Sequence, residues 1–91
     1  MHCVADYPTK LEESNLRAIE SMKQSFNVPI GYSDNGESDL VDIVAVSLGA
    51  NLIERHFTLD KNMKGPDHSF SITPIQLTNL ISQIRLIEKI R

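Results

Sequence analysis

The chain has 91 residues, 41% of them hydrophobic, which is enough for one small domain with its own core. A formal net charge of −3 argues against nucleic-acid binding, and no apolar run reaches the roughly 18 residues that span a bilayer. The single cysteine, Cys3, cannot form an internal disulfide, so we expect a cytoplasmic protein that binds neither nucleic acid nor a membrane.

The first half of the chain predicts two strands separated by a helix. Residues 1–4, "MHCV", predict a short strand, and the proline-containing loop "ADYPTKLEES" follows it. A helix is expected to open at Ser14 or at Glu12–Glu13 and to end at Asn27, a residue that tolerates the left-handed conformation. Residues 28–33, "VPIGYS", predict the second strand. The helical period is carried by Leu16, Ile19, Met22 and Phe26.

The second half predicts a helix, a strand and a longer helix. Residues 39–50, "DLVDIVAVSLGA", are apolar nearly all round, as in a helix packed on a sheet, with Gly49 at its C-terminal end. Residues 51–57, "NLIERHF", predict the third strand. Thr73, Pro74 and Gln76 form a capping box that opens the last helix. The apolar stripe expected in the core comprises Leu77, Leu80, Ile81, Ile84, Ile87 and Ile90.

The resulting order, β-α-β-α-β-α, is that of parallel βα units and predicts an α/β fold. Right-handed crossovers place the loops after all three strands at the carboxyl edge of the sheet. Binding sites form at that edge in open α/β sheets and in (β/α)₈ barrels. His56, which ends the third strand, and Asp67, in the loop after it, are therefore candidate site residues.

Four motifs, "HCVADYPTK", "GYSD", "GAxxIERHFTLDK" and "GPDHSFSITPxxL", resemble the sialic acid synthase family in their order and spacing. The resemblance implies a (β/α)₈ TIM-barrel catalytic domain. Residues 1–91 would be its C-terminal three-eighths, a partial barrel of three consecutive βα units. The family's reaction joins phosphoenolpyruvate to an N-acetylmannosamine-type sugar with the help of a divalent metal.

The resemblance also implies roles for particular residues. His56 matches a metal-ligating histidine, and Asp67 matches an acid that contacts the sugar. Tyr7 and Ser33 match residues that line the pocket for phosphoenolpyruvate and sugar. Asn35 stands where the family usually has a second histidine ligand; an amide oxygen binds Mn²⁺ or Mg²⁺, but binds Mn²⁺ more weakly than imidazole does.

Three features separate this chain from a complete synthase. Asn35 replaces a histidine, Ala5 stands where a polar residue is common, and the earlier barrel strands that hold phosphoenolpyruvate are absent. We therefore expect no turnover by the isolated chain, and we expect either a partner that supplies the missing part of the barrel or self-association. The alternatives are a non-catalytic module that binds sugar or metal, and a decayed remnant that only oligomerises.

Taken without the resemblance, the same residues have simpler interpretations. His56 could be a structural histidine, Asp67 a turn residue, Tyr7 a loop-packing residue, and Ser33 a cap for the following turn. His2 and His68 are open between a structural and a solvated role.

Overall fold

The computed structural model describes residues 1–91 and contains one three-stranded parallel sheet. The strands are β1 (His2–Cys3), β2 (Gly31–Asp34) and β3 (Leu52–Arg55), in the order β1-β2-β3. The helices are α1 (Ala18–Ser25), α2 (Asp39–Ser47) and α3 (Pro74–Ile90), with short 3₁₀ turns at Leu11–Glu13 and His68–Phe70. The predicted α/β class with parallel strands is confirmed.

The core lies on one side of this sheet, between the strands and the helices. Alternate strand residues point to this side, and the small and branched residues of α2 pack against them. The buried core cluster comprises Ile19, Ile30, Tyr32, Val41, Ala45 and Ala50. The opposite face of the sheet carries no helix, so Cys3 and Glu54 are exposed there.

The first helix is shorter than predicted. It begins at Ala18 rather than near Ser14, because Asn15 adopts a left-handed conformation with φ of 49° and interrupts the helical backbone. The prediction that Asn27 ends the helix in that conformation is also wrong, since the helix ends at Ser25 and Phe26 is extended. Gly49, with φ of 106°, does follow α2 as predicted.

The last helix, α3, begins where predicted, but its apolar stripe is less buried than predicted. The Thr73 side chain accepts from the Gln76 backbone, and the Gln76 side chain accepts from the Thr73 backbone. Of the apolar stripe only Leu80 is buried, and Ile81 and Ile90 are exposed. Leu77, Ile84 and Ile87 are partly buried, so these 91 residues cover only part of the stripe. No helix combines the length and apolar character that a membrane crossing requires.

Loss of the cap should destabilise the chain measurably. Thr73→Ala leaves the Gln76 backbone N–H without its side-chain acceptor, so we expect a loss of about 1 kcal/mol in the free energy of unfolding. Thr78→Ala is the matched control, because that exposed hydroxyl only donates to the Pro74 carbonyl within the helix. The control should change the free energy by less than about 0.5 kcal/mol. Equal losses in urea unfolding would contradict a capping role.

Candidate functional site

The carboxyl ends of β2 and β3 present different residues to the two sides of the sheet. Ser33 pairs in register with Glu54, and Asp34 pairs with Arg55. Because successive strand residues face opposite sides, Asp34 and Arg55 point toward the helices. Ser33 and Glu54 point to the uncovered side, and the residues after the two strands, Asn35 and His56, continue on that side.

His56 and Asn35, the two predicted metal ligands, are in direct contact. His56 Nε2 lies 3.2 Å from Asn35 Oδ1, and since an amide oxygen can only accept, Nε2 is the donor. Asn35 Nδ2 donates to the Val4 carbonyl at 3.0 Å and contacts Cys3 Sγ at 3.2 Å. These contacts fix the amide orientation, so that its oxygen faces the imidazole.

Aromatic rings and a carboxylate surround the rest of the His56 side chain. The Phe70 ring meets the imidazole edge to face with 5.3 Å between centroids, and the Tyr7 ring does so at 6.3 Å. Asp67 Oδ2 lies 3.8 Å from His56 Nδ1, beyond hydrogen-bonding distance. The predicted residues Tyr7 and Asp67 are therefore both neighbours of His56, and their roles in binding substrate stay predictions.

Ser33 lies in the same region but has another partner. Its hydroxyl donates to Glu54 Oε1 at 2.6 Å. A polar concavity of about 260 Å³ is lined by Ser33, Asp34, Glu54, Arg55 and His56. The concavity joins Ser33 to His56, whereas Tyr7 and Asp67 lie outside its lining.

The His56 and Asn35 donor atoms fit two adjacent positions around one divalent cation. With metal–ligand bonds of 2.0–2.2 Å, adjacent donors of an octahedral site are about 3 Å apart. The observed separation of 3.2 Å is close to this value. No group of three or more His, Cys, Asp or Glu side chains is placed to hold a metal, so any further ligands would come from water, substrate or another chain segment.

A charged cluster lies on the helix side of the sheet, directly behind these residues. Arg55 Nη1 donates to Asp42 Oδ2 at 2.7 Å and to Asp39 Oδ1 at 2.9 Å, and Arg55 Nε lies 3.8 Å from Asp34 Oδ2. Asp34, Asp42 and Arg55 are all at least 95% buried in their side chains. We call Asp34, Asp42 and Arg55 the ion cluster.

Burial changes the protonation of the ion cluster. Desolvation, a hydrogen bond with Asp34 and the charge of Asp34 raise the pKa of Asp42 to about 8, although Arg55 opposes this. The pKa of Arg55 is raised because its hydrogen bonds and charge interactions with the acids outweigh desolvation. Three buried atoms of the cluster, Asp34 Oδ2, Asp42 Oδ1 and Arg55 Nε, have no hydrogen-bond partner.

The two histidines without an assigned role have structural partners. His2 Nε2 lies 2.9 Å from the Ser14 carbonyl, and His68 Nδ1 lies 2.7 Å from the hydroxyl of the buried Thr58. These contacts fix the loops after β1 and β3.

Sequence reasoning missed three neighbours of the site. Glu54 is recognisable from strand alternation, because it is two residues before His56 and therefore on the same side. Phe70 belongs to the "GPDHSF" motif but carries no polar group that would mark it. Cys3 lies beside Asn35 because β1 pairs with β2. The sequence of a single strand does not show which strand it pairs with.

Comparison with known proteins gives one family. The model described as "NeuB family" matches residues 1–91. The chain is 48% identical over 89 residues to the N,N'-diacetyllegionaminic acid synthase of Campylobacter jejuni, which covers 98% of this chain and 27% of that protein. It is 42% identical over 90 residues to the human N-acetylneuraminate-9-phosphate synthase, which covers 98% of this chain and 25% of that protein.

A solved structure resembles the whole chain. The N-acetylneuraminic acid (sialic acid) synthetase of Leptospira borgpetersenii, determined with citrate, superposes with a TM-score of 0.94 at 38% identity. The match covers 98% of this chain and 31% of that one. The chain thus spans about a quarter of the length of the curated relatives above. The match belongs to the N-terminal region of the family, so the predicted placement in the C-terminal part of the catalytic barrel is not confirmed.

Proposed function

Since the chain belongs to the NeuB family, we propose that it supplies three consecutive βα units to a (β/α)₈ barrel of the sialic acid synthase type. In that barrel it would take part in condensing phosphoenolpyruvate with an N-acetylmannosamine-type sugar. The observation that carries the proposal is the convergence of Asn35, His56, Tyr7 and Asp67 at the carboxyl edge of the sheet. That edge is where the sites of parallel α/β folds form.

The uncovered surfaces of the chain support the need for further barrel units. β1 and β3 each leave one edge unpaired, and the face of the sheet that holds Glu54 has no covering layer. Two residues of the apolar stripe of α3, Ile81 and Ile90, are exposed. Unpaired edges and exposed apolar faces favour association with more chain of the same architecture. That chain is either a separate partner or further units of the same polypeptide; a second copy of these 91 residues is the other arrangement.

The residues at the site would have different roles in binding the cation and the substrates. His56 Nε2 and Asn35 Oδ1 would hold a divalent cation, Mn²⁺ or Mg²⁺, which when bound polarises the aldehyde of the sugar as a Lewis acid. In the hydrogen bond with Asn35 the proton sits on Nε2, so binding a cation through Nε2 would require that proton to leave and the imidazole to carry its proton on Nδ1, the nitrogen that faces Asp67. The Asp67 carboxylate would orient sugar hydroxyls, and the hydroxyls of Tyr7 and Ser33 would bind carboxylate or phosphate oxygens.

A segment exchange tests this function directly. Residues 1–91 would replace the matching segment of the Campylobacter jejuni enzyme, with which they share 48% identity. We expect the chimera to form the product named for that enzyme, N,N'-diacetyllegionaminic acid, at a reduced but measurable rate, because the chain fits the fold. The 91-residue chain alone should show no turnover with Mn²⁺, phosphoenolpyruvate and the sugar.

Two controls make the exchange decisive. The parent enzyme without the segment should be inactive, and circular dichroism should show that the chimera is folded. A folded chimera without product would contradict the synthase function and favour a binding module or a remnant. Saturable Mn²⁺ binding by that chimera would then support the binding module.

A further inference from the structure

The proposed chemistry does not use the ion cluster, although the cluster lies one residue away from both candidate cation ligands. Asp34 and Arg55 face each other in the register of β2 and β3. Each is followed by a residue on the opposite side of the sheet, Asn35 after Asp34 and His56 after Arg55. Any relative movement of the two strand ends therefore changes the distance between Asn35 Oδ1 and His56 Nε2.

The ion cluster ties those strand ends to α2. Arg55, on β3, donates to Asp42 and Asp39 of α2 and approaches Asp34 of β2. Thus α2 and β2 contribute carboxylates, and β3 contributes the guanidinium, to one cluster on the helix side of the sheet. Both hydrogen bonds to α2 come from one nitrogen, Nη1, whereas Nε has no hydrogen-bond partner and lies 3.8 Å from Asp34 Oδ2, so the planar guanidinium presents two separate nitrogens to α2 and β2.

Asp34 also shapes the turn that carries Asn35. Asp34 Oδ1 accepts from the Gly36 backbone N–H at 2.7 Å, and the Asn35 carbonyl accepts from the Thr9 backbone at 3.1 Å. A Cβ atom at Gly36 would lie 3.1 Å from both Asp34 Oδ1 and the Thr9 carbonyl. A side chain larger than that of glycine at position 36 would therefore crowd this turn.

We propose that Asp34, Asp42 and Arg55 are positioning residues that hold the carboxyl ends of β2 and β3 so that Asn35 and His56 meet as a pair of cation ligands. The pairing itself is a feature of the fold. Its use for a cation rests on the proposed function.

Arg55→Lys separates positioning from simple charge compensation, because lysine keeps the positive charge but loses the planar group that faces Asp42 and Asp39 through Nη1 and Asp34 through Nε. In the metal-free chain, we expect the NMR resonances of the Asn35 side-chain amide to shift and its hydrogen exchange to accelerate. In calorimetry, we expect the affinity for Mn²⁺ to fall roughly tenfold, as for other groups that orient metal ligands. Arg85→Lys, on the exposed face of α3, is the matched control and should change neither quantity.

The outcomes distinguish the inference from the proposed function. A folded Arg55→Lys variant with unchanged Asn35 resonances and unchanged Mn²⁺ affinity overturns the positioning role. A shifted Asn35 amide in a chain that never binds Mn²⁺ supports positioning and contradicts the cation function. If Arg55→Lys does not fold, Arg55→Gln replaces it, because a neutral amide avoids an unpaired buried ammonium group and still removes the guanidinium from the ion cluster. That variant should shift the same resonances, and unchanged resonances would again overturn the proposal.

Discussion

Raising the pH from 4 to 8 should cost this chain several kcal/mol of stability through one residue, Asp42. Burial and the neighbouring Asp34 raise the pKa of Asp42 from 3.8 to about 8. A raised acid pKa means that the folded state binds a proton that the unfolded state releases. The corresponding stability is fully present below the unfolded pKa and is lost as the pH rises toward 8. A shift of this size corresponds to on the order of 5 kcal/mol.

Asp42→Asn isolates this effect because asparagine mimics the protonated carboxyl group and keeps an oxygen to accept from Arg55. We expect the difference in free energy of unfolding between the variant and the wild type to grow in favour of the variant from pH 5 to pH 8. Urea unfolding followed by circular dichroism measures this difference at each pH. Asp6→Asn, which removes an exposed carboxylate, is the control and should keep the wild-type profile.

If the difference in free energy of unfolding between Asp42→Asn and the wild type does not change with pH, Asp42 is an anion in the folded state and is balanced by Arg55. The other groups packed around it, Asp34 on β2, Arg55 on β3 and Asp39 on α2, are unchanged in the variant. A change in slope is therefore attributable to the Asp42 proton and its interactions.

The sequence predicted the fold class and the edge of the sheet where the candidate residues meet. The apolar character of α2, the capping box of α3 and the residues of β3 each encode their structure locally, so the type and place of these elements were predicted, although α2 and β3 are shorter than expected. The start of α1 was not predictable in this way. Asn15 adopts a left-handed conformation that the surrounding helical period does not indicate.

The remaining errors come from contacts between distant segments. The apolar stripe of α3 predicts burial, but burial needs a covering surface that a helix sequence cannot specify. The ion cluster was also missed. Asp42 lies in a segment that predicts a helix packed on a sheet, and Arg55 lies in a segment that predicts a strand. Only the pairing of β2 with β3 and the packing of α2 reveal that these charges meet.

His56→Ala should lower product formation by the chimera about 100-fold or more. The substitution removes the imidazole donor next to Asn35 and leaves one amide oxygen at the proposed cation site. Lewis-acid stabilisation of developing charge contributes several kcal/mol, and each 1.4 kcal/mol corresponds to a tenfold change in rate. Gln83→Ala is the control, because that side chain is exposed on α3 away from the site. The control should keep most of the activity of the chimera.

Asn35→His tests whether the activity lost in His56→Ala is lost through weaker cation binding. Asn35→His supplies a second imidazole in place of an amide oxygen, so Mn²⁺ should bind about tenfold or more tightly than to the unchanged chimera. Combined with His56→Ala, the same substitution should recover part of the lost Mn²⁺ affinity, since one imidazole is again present. Calorimetry measures both affinities. If His56→Ala abolishes product formation while Mn²⁺ affinity stays the same in all variants, His56 acts on the substrate and not through a cation.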